Sequence, residues 1–279
     1  MELRQLRTFL AIVRTGTVTD AATALGLASS SVSAQLRALE TSLGVVLFVR
    51  TARGMRLTDA GERLVDRSHR LLDQADQLVA DVRGQGRALR LGALETIAAT
   101  HGPGVVQRLR SRRPGAPVEL RSAVDRQELL DDVVAARLDA ALVLDTGDAV
   151  GDLGFPVPPA PLTFLDVDTV PLALVAAPGD HADALLVNVP RCSFRLAAAA
   201  LFGNERPTIA AGGVAVMRAW AEQGLGIALL PEFAVADSLA AGTLTRLDVP
   251  APDLALRLIW RADRESLPGL RDLLYAASV

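Results

Sequence analysis

Apolar side chains recur every three or four residues in three segments near the start of the chain, a spacing that predicts three helices. The first segment covers residues 3–13 and is followed by Gly16. The second is short: Thr19 or Asp20 can cap it, and Gly26 ends it, because glycine accepts the left-handed backbone that closes a helix. Two helices joined by so short a turn are typical of a helix-turn-helix unit.

The third segment has two faces of different chemistry. Ser29 or Ser30 can cap it, Gly44 ends it, and one face is apolar through Val32, Leu36, Leu39 and Leu43. The opposite face presents short hydrogen-bonding side chains near the helix start, which is what a DNA major groove requires of a recognition helix. The candidate DNA-binding residues on this helix are Ser29, Ser30, Ser33, Gln35 and Arg37.

A small two-stranded wing should follow the third helix. Residues 47–50 alternate apolar and polar, residues 51–54 form a turn, and residues 55–57 return along the first strand. Three arginines of this wing are further candidates for contact with phosphates or a minor groove: Arg50, Arg53 and Arg56. The alternative is an ordinary three-helix packing unit whose arginines are only solvated.

A long helix is expected from Thr58 to about residue 83, with Asp59 and Glu62 favourably placed in its first turn. Leucines recur seven residues apart along it, and the candidate dimerisation residues are Leu64, Leu71 and Leu78. A small winged unit cannot bury such a stripe alone, so a dimer seam is favoured; packing on the chain's own second half is the alternative. Residues 84–86, Gly-Gln-Gly, form a hinge.

Beyond the hinge, apolar strands alternate with helices, which predicts an α/β fold with a parallel sheet covered on both faces. The expected strands are residues 88–94, 118–122 and 139–144, and the expected helices are residues 95–112 and 126–137. Thr96 lies where the first strand meets its helix. Unpaired N–H groups at that helix start and the Thr96 hydroxyl make a corner that favours anions.

Charge and composition narrow the function. The net charge is −3, but residues 1–58 hold seven arginines and three carboxylates, leaving that segment at +4 and the remainder at −7. Such asymmetry is expected when one end of a chain meets phosphate. The chain contains no lysine, its three histidines lie far apart, and Cys192 is its single cysteine. We therefore expect no catalytic residues, no metal site and no cofactor.

No apolar run approaches the ~20 residues that a membrane span needs, so a cytoplasmic protein without membrane contact is expected.

The residues around the helix-turn-helix resemble the N-terminal signature of LysR-type bacterial transcriptional regulators. The matching positions are Ala21, Ala22, Leu25, Ser33, Leu39, Glu40, Leu43, Gly44, Leu47, Phe48, Arg50, Leu57, Thr58 and Gly61. Residues 224–231, GLGIALLP, resemble that family's effector-domain signature. The resemblance implies a winged helix-turn-helix, a dimerising linker helix and a two-lobed effector domain of periplasmic-binding-protein type.

The expected domains are residues 1–58, which bind DNA, residues 59–87, the linker helix and hinge, and residues 88–279, which bind effector. Lobe one is expected at about 88–163 and 260–279, and lobe two at about 164–259. By the resemblance, a small inducer binds between the lobes, facing Thr96, Cys192, Ser193 and Arg195. Serine at a helix start and a guanidinium favour a carboxylate. A structural ion pair for Arg195 and a packed helix cap for Cys192 are the alternatives.

The predicted function is regulation of transcription through double-stranded promoter DNA, bound by a homodimer or homotetramer and modulated by a small, anionic effector. RNA polymerase is a possible further partner. Compared with the family that the sequence resembles, Ala34 stands where many members carry a longer polar or basic side chain. The stretch from His181 to Pro190 is also shorter than in most members. The alternative is therefore a small-molecule binding protein with a degenerate cleft or lost DNA specificity.

Overall fold

The computed structural model describes residues 1–51, 54–82, 88–115, 117–179, 182–203, 206–265, 267 and 269–278. The chain forms two compact units: residues 1–87 with 135–137, and residues 88–134 with 138–279. The predicted hinge at residues 84–86 and the predicted wing residue Arg53 lie outside the described residues.

The first unit contains three short helices, a two-stranded ribbon and a long helix. These are α1 (Leu3–Thr15), α2 (Val18–Leu25), α3 (Ser29–Leu43), β1 (Phe48–Thr51), β2 (Gly54–Leu57) and α4 (Asp59–Val82). Its core is built from the apolar stripes of the helices, chiefly Leu6, Phe9, Ile12, Ala21, Val32 and Leu39. The predicted winged helix-turn-helix followed by a long helix is confirmed.

Glycines end the two helices of the helix-turn-helix. Gly26 and Gly44 take positive φ angles of 66° and 69° at the ends of α2 and α3, as predicted. The start of α2 differs from the prediction, because the cap is Thr17 and not Thr19 or Asp20. The Thr17 hydroxyl accepts a 3.0 Å hydrogen bond from the backbone N–H of Asp20.

The start of α3 also differs from the prediction. Ala28 occupies the cap position and provides no side-chain hydrogen bond, so Ser29 and Ser30 lie in the first turn and do not cap the helix. Val32, Leu36 and Leu39 are buried, whereas Leu43 is 37% exposed and does not complete the stripe. The first-turn serines are therefore available to an external partner.

Helix α4 changes its surroundings along its length. It begins at a cap in which the Thr58 hydroxyl accepts a 3.1 Å hydrogen bond from the N–H of Gly61. Leu64 and Leu72 pack against the core of the winged unit. Leu78, near the other end, is 64% exposed.

The second unit is an α/β structure with two lobes. Its elements are β3 (Leu89–Leu94), α5 (Glu95–Thr100), α6 (Gly102–Arg112), β4 (Val118–Ala123), α7 (Arg126–Val134), β5 (Ala140–Asp145), β6 (Leu162–Val170), β7 (Leu172–Ala176), β8 (Leu185–Val187), α8 (Ser193–Phe202), β9 (Thr208–Ala210), α9 (Val214–Glu222), β10 (Ala228–Pro231), α10 (Glu232–Ala240), β11 (Thr245–Arg246), β12 (Leu254–Arg261) and α11 (Leu270–Ala277).

The main sheet has the strand order β4-β3-β5-β12-β6, in which β4, β3 and β5 are parallel and β12 and β6 are antiparallel additions. The other lobe is built on the sheet β10-β7-β11 and the parallel pair β8-β9. Because β6 and β12 belong to the main sheet, the chain crosses between lobes near residues 171 and 253. The expected crossings, at 163/164 and 259/260, therefore differ from the observed ones by about seven residues.

Two local predictions for this unit need correction. The helix expected over residues 95–112 is two helices, because α5 ends at Thr100 and α6 begins at Gly102, with Pro103 in its first turn. Strand β4 lies at a sheet edge and is largely exposed, so the sheet is not covered throughout. Among the described residues, no helix has both the length and the apolarity needed to cross a membrane.

Candidate functional site

The outward face of α3 and the wing meet at a groove in the first unit. Ser33 and Arg37 of α3 and Arg50 of β1 line this groove together with Met55, around a cavity of about 210 Å³. In the part of the chain that the structure describes, no carboxylate lies within ion-pair distance of Arg37 or Arg50. Glu40 also lines the groove, and its Oε1 accepts a 2.8 Å hydrogen bond from the N–H of Leu47. The groove therefore combines a hydroxyl that can read a base edge with two cations that are not engaged in ion pairs.

The two described wing arginines point in different directions. In the ribbon, Arg50 is opposite Met55, and Val49 is opposite Arg56. Side chains alternate between the faces of a strand, so Arg50 lies on the groove face and Arg56 on the other. Arg56 is exposed and, among the described groups, has no ion-pair partner. The two cations therefore reach separate surfaces.

The candidates on α3 are not equally available. Ser29 and Ser30 are exposed, and so is Ala34. Gln35 is half-buried, and its side-chain oxygen accepts a 2.7 Å hydrogen bond from the hydroxyl of Thr8 in α1. Gln35 thus holds α3 to α1, and only its amide N–H donors remain for an external partner.

The three dimerisation candidates on α4 also differ in how far they are exposed. Leu64 is half-buried against the winged core, Leu71 is 37% exposed and Leu78 is well exposed. Val79 and Val82 add to the exposed apolar surface near the end of the helix. The uncovered part of the stripe is therefore its C-terminal part.

A small cleft of about 40 Å³ lies between the lobes of the second unit. Its lining includes Thr96 from α5, and Asn188, Cys192 and Ser193 from the other lobe. Three of the four predicted effector residues, Thr96, Cys192 and Ser193, are thereby brought together from positions almost a hundred residues apart in the chain. Three of the described helices begin at this cleft, α5, α8 and α9.

Arg195 does not line the cleft. It is half-buried, and its Nη1 donates a 3.2 Å hydrogen bond to the backbone carbonyl of Asn188. The alternative for this residue was a structural ion pair; the observed contact is structural, but it is made to a backbone carbonyl and not to a carboxylate. Arg195 therefore ties the start of α8 to the loop before it.

Cys192 is the residue before α8 and is buried. Burial raises the pKa of its thiol above the ordinary value, because a thiolate is poorly solvated there. The group therefore stays protonated at neutral pH, as expected for a packed residue at a helix start.

Sequence reasoning missed Arg126, the first residue of α7. Its side chain is 1% exposed, its Nη2 donates a hydrogen bond to the Ser193 hydroxyl, and its guanidinium lies 3.9 Å from the centre of the Phe155 ring. Burial lowers the pKa of Arg126 to about 10. Position could have revealed it, because β3 and β4 are parallel neighbours and the helices that follow them begin at one sheet edge.

Comparison with known proteins agrees with this architecture. Residues 3–62 match the model of the bacterial regulatory helix-turn-helix proteins of the lysR family, and residues 83–277 match the LysR substrate binding domain. The chain is 32% identical to the HTH-type transcriptional regulator YofA of Bacillus subtilis, over 94% of this chain and 93% of the relative.

Solved structures share the fold at lower identity. ArgP from Mycobacterium tuberculosis superimposes with a TM-score of 0.71 at 22% identity, covering 98% of this chain and 96% of that one. Full-length CbnR in complex with its target DNA gives a TM-score of 0.64 at 22% identity, covering 99% of both chains.

Proposed function

The chain belongs to the LysR family of transcriptional regulators, with a DNA-binding helix-turn-helix and an effector-binding domain, and we propose which residues perform each task. Helix α3 and the wing bind double-stranded promoter DNA, α4 joins two subunits, and a small anionic effector in the cleft modulates the DNA complex. The observation that carries this proposal is the groove in which Ser33, Arg37 and Arg50 meet without a carboxylate partner.

The roles within the groove follow from the reach of each group. A serine hydroxyl donates and accepts one short hydrogen bond, so Ser33 suits a base edge in the major groove. The longer Arg37 and Arg50 suit phosphate oxygens, which position the protein without carrying sequence information. Ser29 and Ser30, in the exposed first turn of α3, add backbone N–H groups for a phosphate. Arg56 contacts the DNA backbone on the other side of the wing.

Dimerisation through α4 is supported by the apolar surface that the winged core leaves uncovered. Leu71 and Leu78 are seven residues apart on this helix, so they lie on one face where a second copy can meet them. A dimer doubles the positive charge presented to DNA, and a dimer of dimers doubles it again. A protein that binds bacterial promoters works in the cytoplasm, where RNA polymerase is a further candidate partner.

The anionic character of the effector is supported by the cleft. The positive end of α8 lies there, and Arg126 supplies a buried positive charge beside Ser193. No catalytic role is proposed for these groups.

The proposal is tested by titrating the purified protein with the DNA upstream of its own coding region at several salt concentrations, with a scrambled duplex of equal length as competitor. We expect tight binding to the upstream DNA, a steep loss of affinity with salt, and weaker binding to the scrambled duplex. Equal and weak binding to both duplexes would overturn it. The engaged oxygen of Gln35 and the short Ala34 favour a ligand-binding protein without DNA specificity as the second candidate in that case.

A further inference from the structure

Arg126 is a buried cation whose hydrogen-bonding capacity is mostly unused. Its Nη2 donates to Ser193, but Nε and Nη1, both buried, have no hydrogen-bond partner among the described residues. Burying a guanidinium costs free energy unless its donors and charge are compensated. The site is therefore incomplete as it stands.

The neighbouring carboxylates do not complete it, because they are bonded elsewhere. Both oxygens of Asp145 accept backbone N–H groups, and one also accepts Nη1 of Arg257. The oxygens of Asp125 accept the N–H of Gln127 and Nη2 of Arg191. These carboxylates only raise the pKa of Arg126 from a distance, and burial outweighs them.

The Ser193 hydroxyl connects Arg126 to the cleft. Ser193 lines the cleft and is the first residue of α8. Val124, two residues before Arg126, lines the same cleft. Arg126 itself does not line the cleft; its guanidinium lies directly behind Ser193, beside the positive end of a ten-residue helix.

We propose that Arg126 is the residue that selects a single oxyanion group of the effector. This group binds against the start of α8 and accepts hydrogen bonds from the Nε and Nη1 donors of Arg126, which have no partner among the described residues. This inference rests on the proposed effector-binding function and adds the determinant of ligand class. A cavity of about 40 Å³ has room for such a small group, and the rest of a larger molecule extends toward the opening.

The same contact links the lobes. Arg126 begins α7, which packs on the main sheet, whereas Ser193 begins α8 in the other lobe. A second inter-lobe contact lies beside it, the 2.7 Å ion pair between Asp125 and Arg191. An oxyanion held at once by Arg126 and by the positive end of α8 therefore stabilises the closed arrangement of the lobes, because each lobe supplies part of the site.

The experiment uses the full-length protein and Arg126→Met, with Arg110→Met, at an exposed position of α6, as the matched control. Thermal unfolding and calorimetric titration are measured with sodium sulfate, sodium phosphate and a panel of monocarboxylates, at constant ionic strength set with sodium chloride. Wild type should be stabilised by at least one of these anions. Arg126→Met should bind that anion roughly 30-fold more weakly, while Arg110→Met keeps the wild-type response.

A merely structural role for Arg126 predicts something different. In that case Arg126→Met lowers the melting temperature without ligand and responds to anions like wild type, which would overturn the proposal. If Arg126 is the anion-selecting residue, the methionine variant without ligand is at least as stable as wild type, because an uncompensated buried charge has been removed. Should Arg126→Met fail to fold, Arg126→Lys keeps the charge and loses the fork, and its anion affinity should still fall about tenfold.

The choice of anion identifies the source of the oxyanion group. A response to sulfate or phosphate alone assigns an inorganic ion, and a response to one carboxylate assigns an organic acid; both support the proposal if Arg126→Met abolishes them. Normal promoter binding without any anion response would overturn this inference and the anionic character proposed for the effector, and would leave the proposed DNA-binding function standing. An Arg126-dependent anion response in a protein that does not select promoter DNA would overturn the proposed function alone.

Discussion

The arginines of the winged unit differ in what surrounds their guanidinium groups. Arg7 is paired with Asp76 at 2.8 Å, and Arg4 with Glu2 at 2.5 Å. Arg37 and Arg50 have no such partner among the described residues and share one groove. Charge that is already paired adds little to phosphate binding, so the unpaired groove arginines should dominate the salt dependence.

Arg50→Ala should weaken binding to specific and scrambled DNA alike, because a phosphate contact is not sequence-specific. The slope of log K against log salt should become less steep by about 0.9 per subunit. Fluorescence anisotropy with both duplexes checks this, and Arg110→Ala, an equal loss of charge at an exposed position in the second unit, is the control. An unchanged slope would remove Arg50 from the DNA interface.

Cys192 should behave as an inert thiol. Its pKa is raised in the folded state, so the unfolded chain loses the proton first as pH rises, and the free energy of unfolding should fall above the ordinary thiol range. Alkylation by iodoacetamide, followed by mass spectrometry, should be slow at pH 8 in the native protein and fast in urea. Rapid native alkylation at pH 8 would mean that the thiol is exposed or ionised.

At the scale of elements, α4 packs on the winged core near its N-terminus and exposes apolar side chains near its C-terminus. The part up to Leu72 is held by the Thr58 cap and by packing on the winged core, whereas the part beyond Leu72 carries exposed apolar side chains. An apolar stripe of this kind is stable in water when a second helix covers it. The two parts should therefore respond differently to the same substitution.

Leu78→Asp should dissociate the dimer and leave the winged unit folded, because Leu78 is 64% exposed. Leu72→Asp, only six residues away, should instead destabilise the winged unit by more than about 3 kcal/mol, because Leu72 is 8% exposed and a buried carboxylate there has no partner. Sedimentation equilibrium and thermal unfolding separate the two results. A Leu78→Asp protein that sediments as a dimer would place the subunit contact elsewhere.

At the scale of the whole molecule, assembly multiplies a modest charge. The net charge of −3 conceals +4 on residues 1–58, which is a small footprint for one subunit on DNA. If two subunits bind together, the phosphates neutralised per complex double, and so does the salt slope. Assembly and DNA binding are in this way thermodynamically linked.

The monomeric Leu78→Asp variant should therefore show about half of the wild-type salt slope on the same promoter duplex. Anisotropy titrations between 50 and 200 mM salt, the range in which such slopes are roughly linear, measure it. A full slope in a variant shown to be monomeric would mean that one subunit supplies all the phosphate contacts, and that the α4 seam is not coupled to DNA binding.

The sequence by itself determined the elements of the first unit, the wing, the linker helix and the alternation of strands and helices beyond it. These depend on local periods and on glycines such as Gly26 and Gly44, which close helices through their own backbone conformation. Only the tertiary structure decided which polar groups meet. Thr8 engages Gln35 across 27 positions, and Arg126 reaches Ser193 across 67. No local pattern encodes such contacts, because they depend on how separate elements pack.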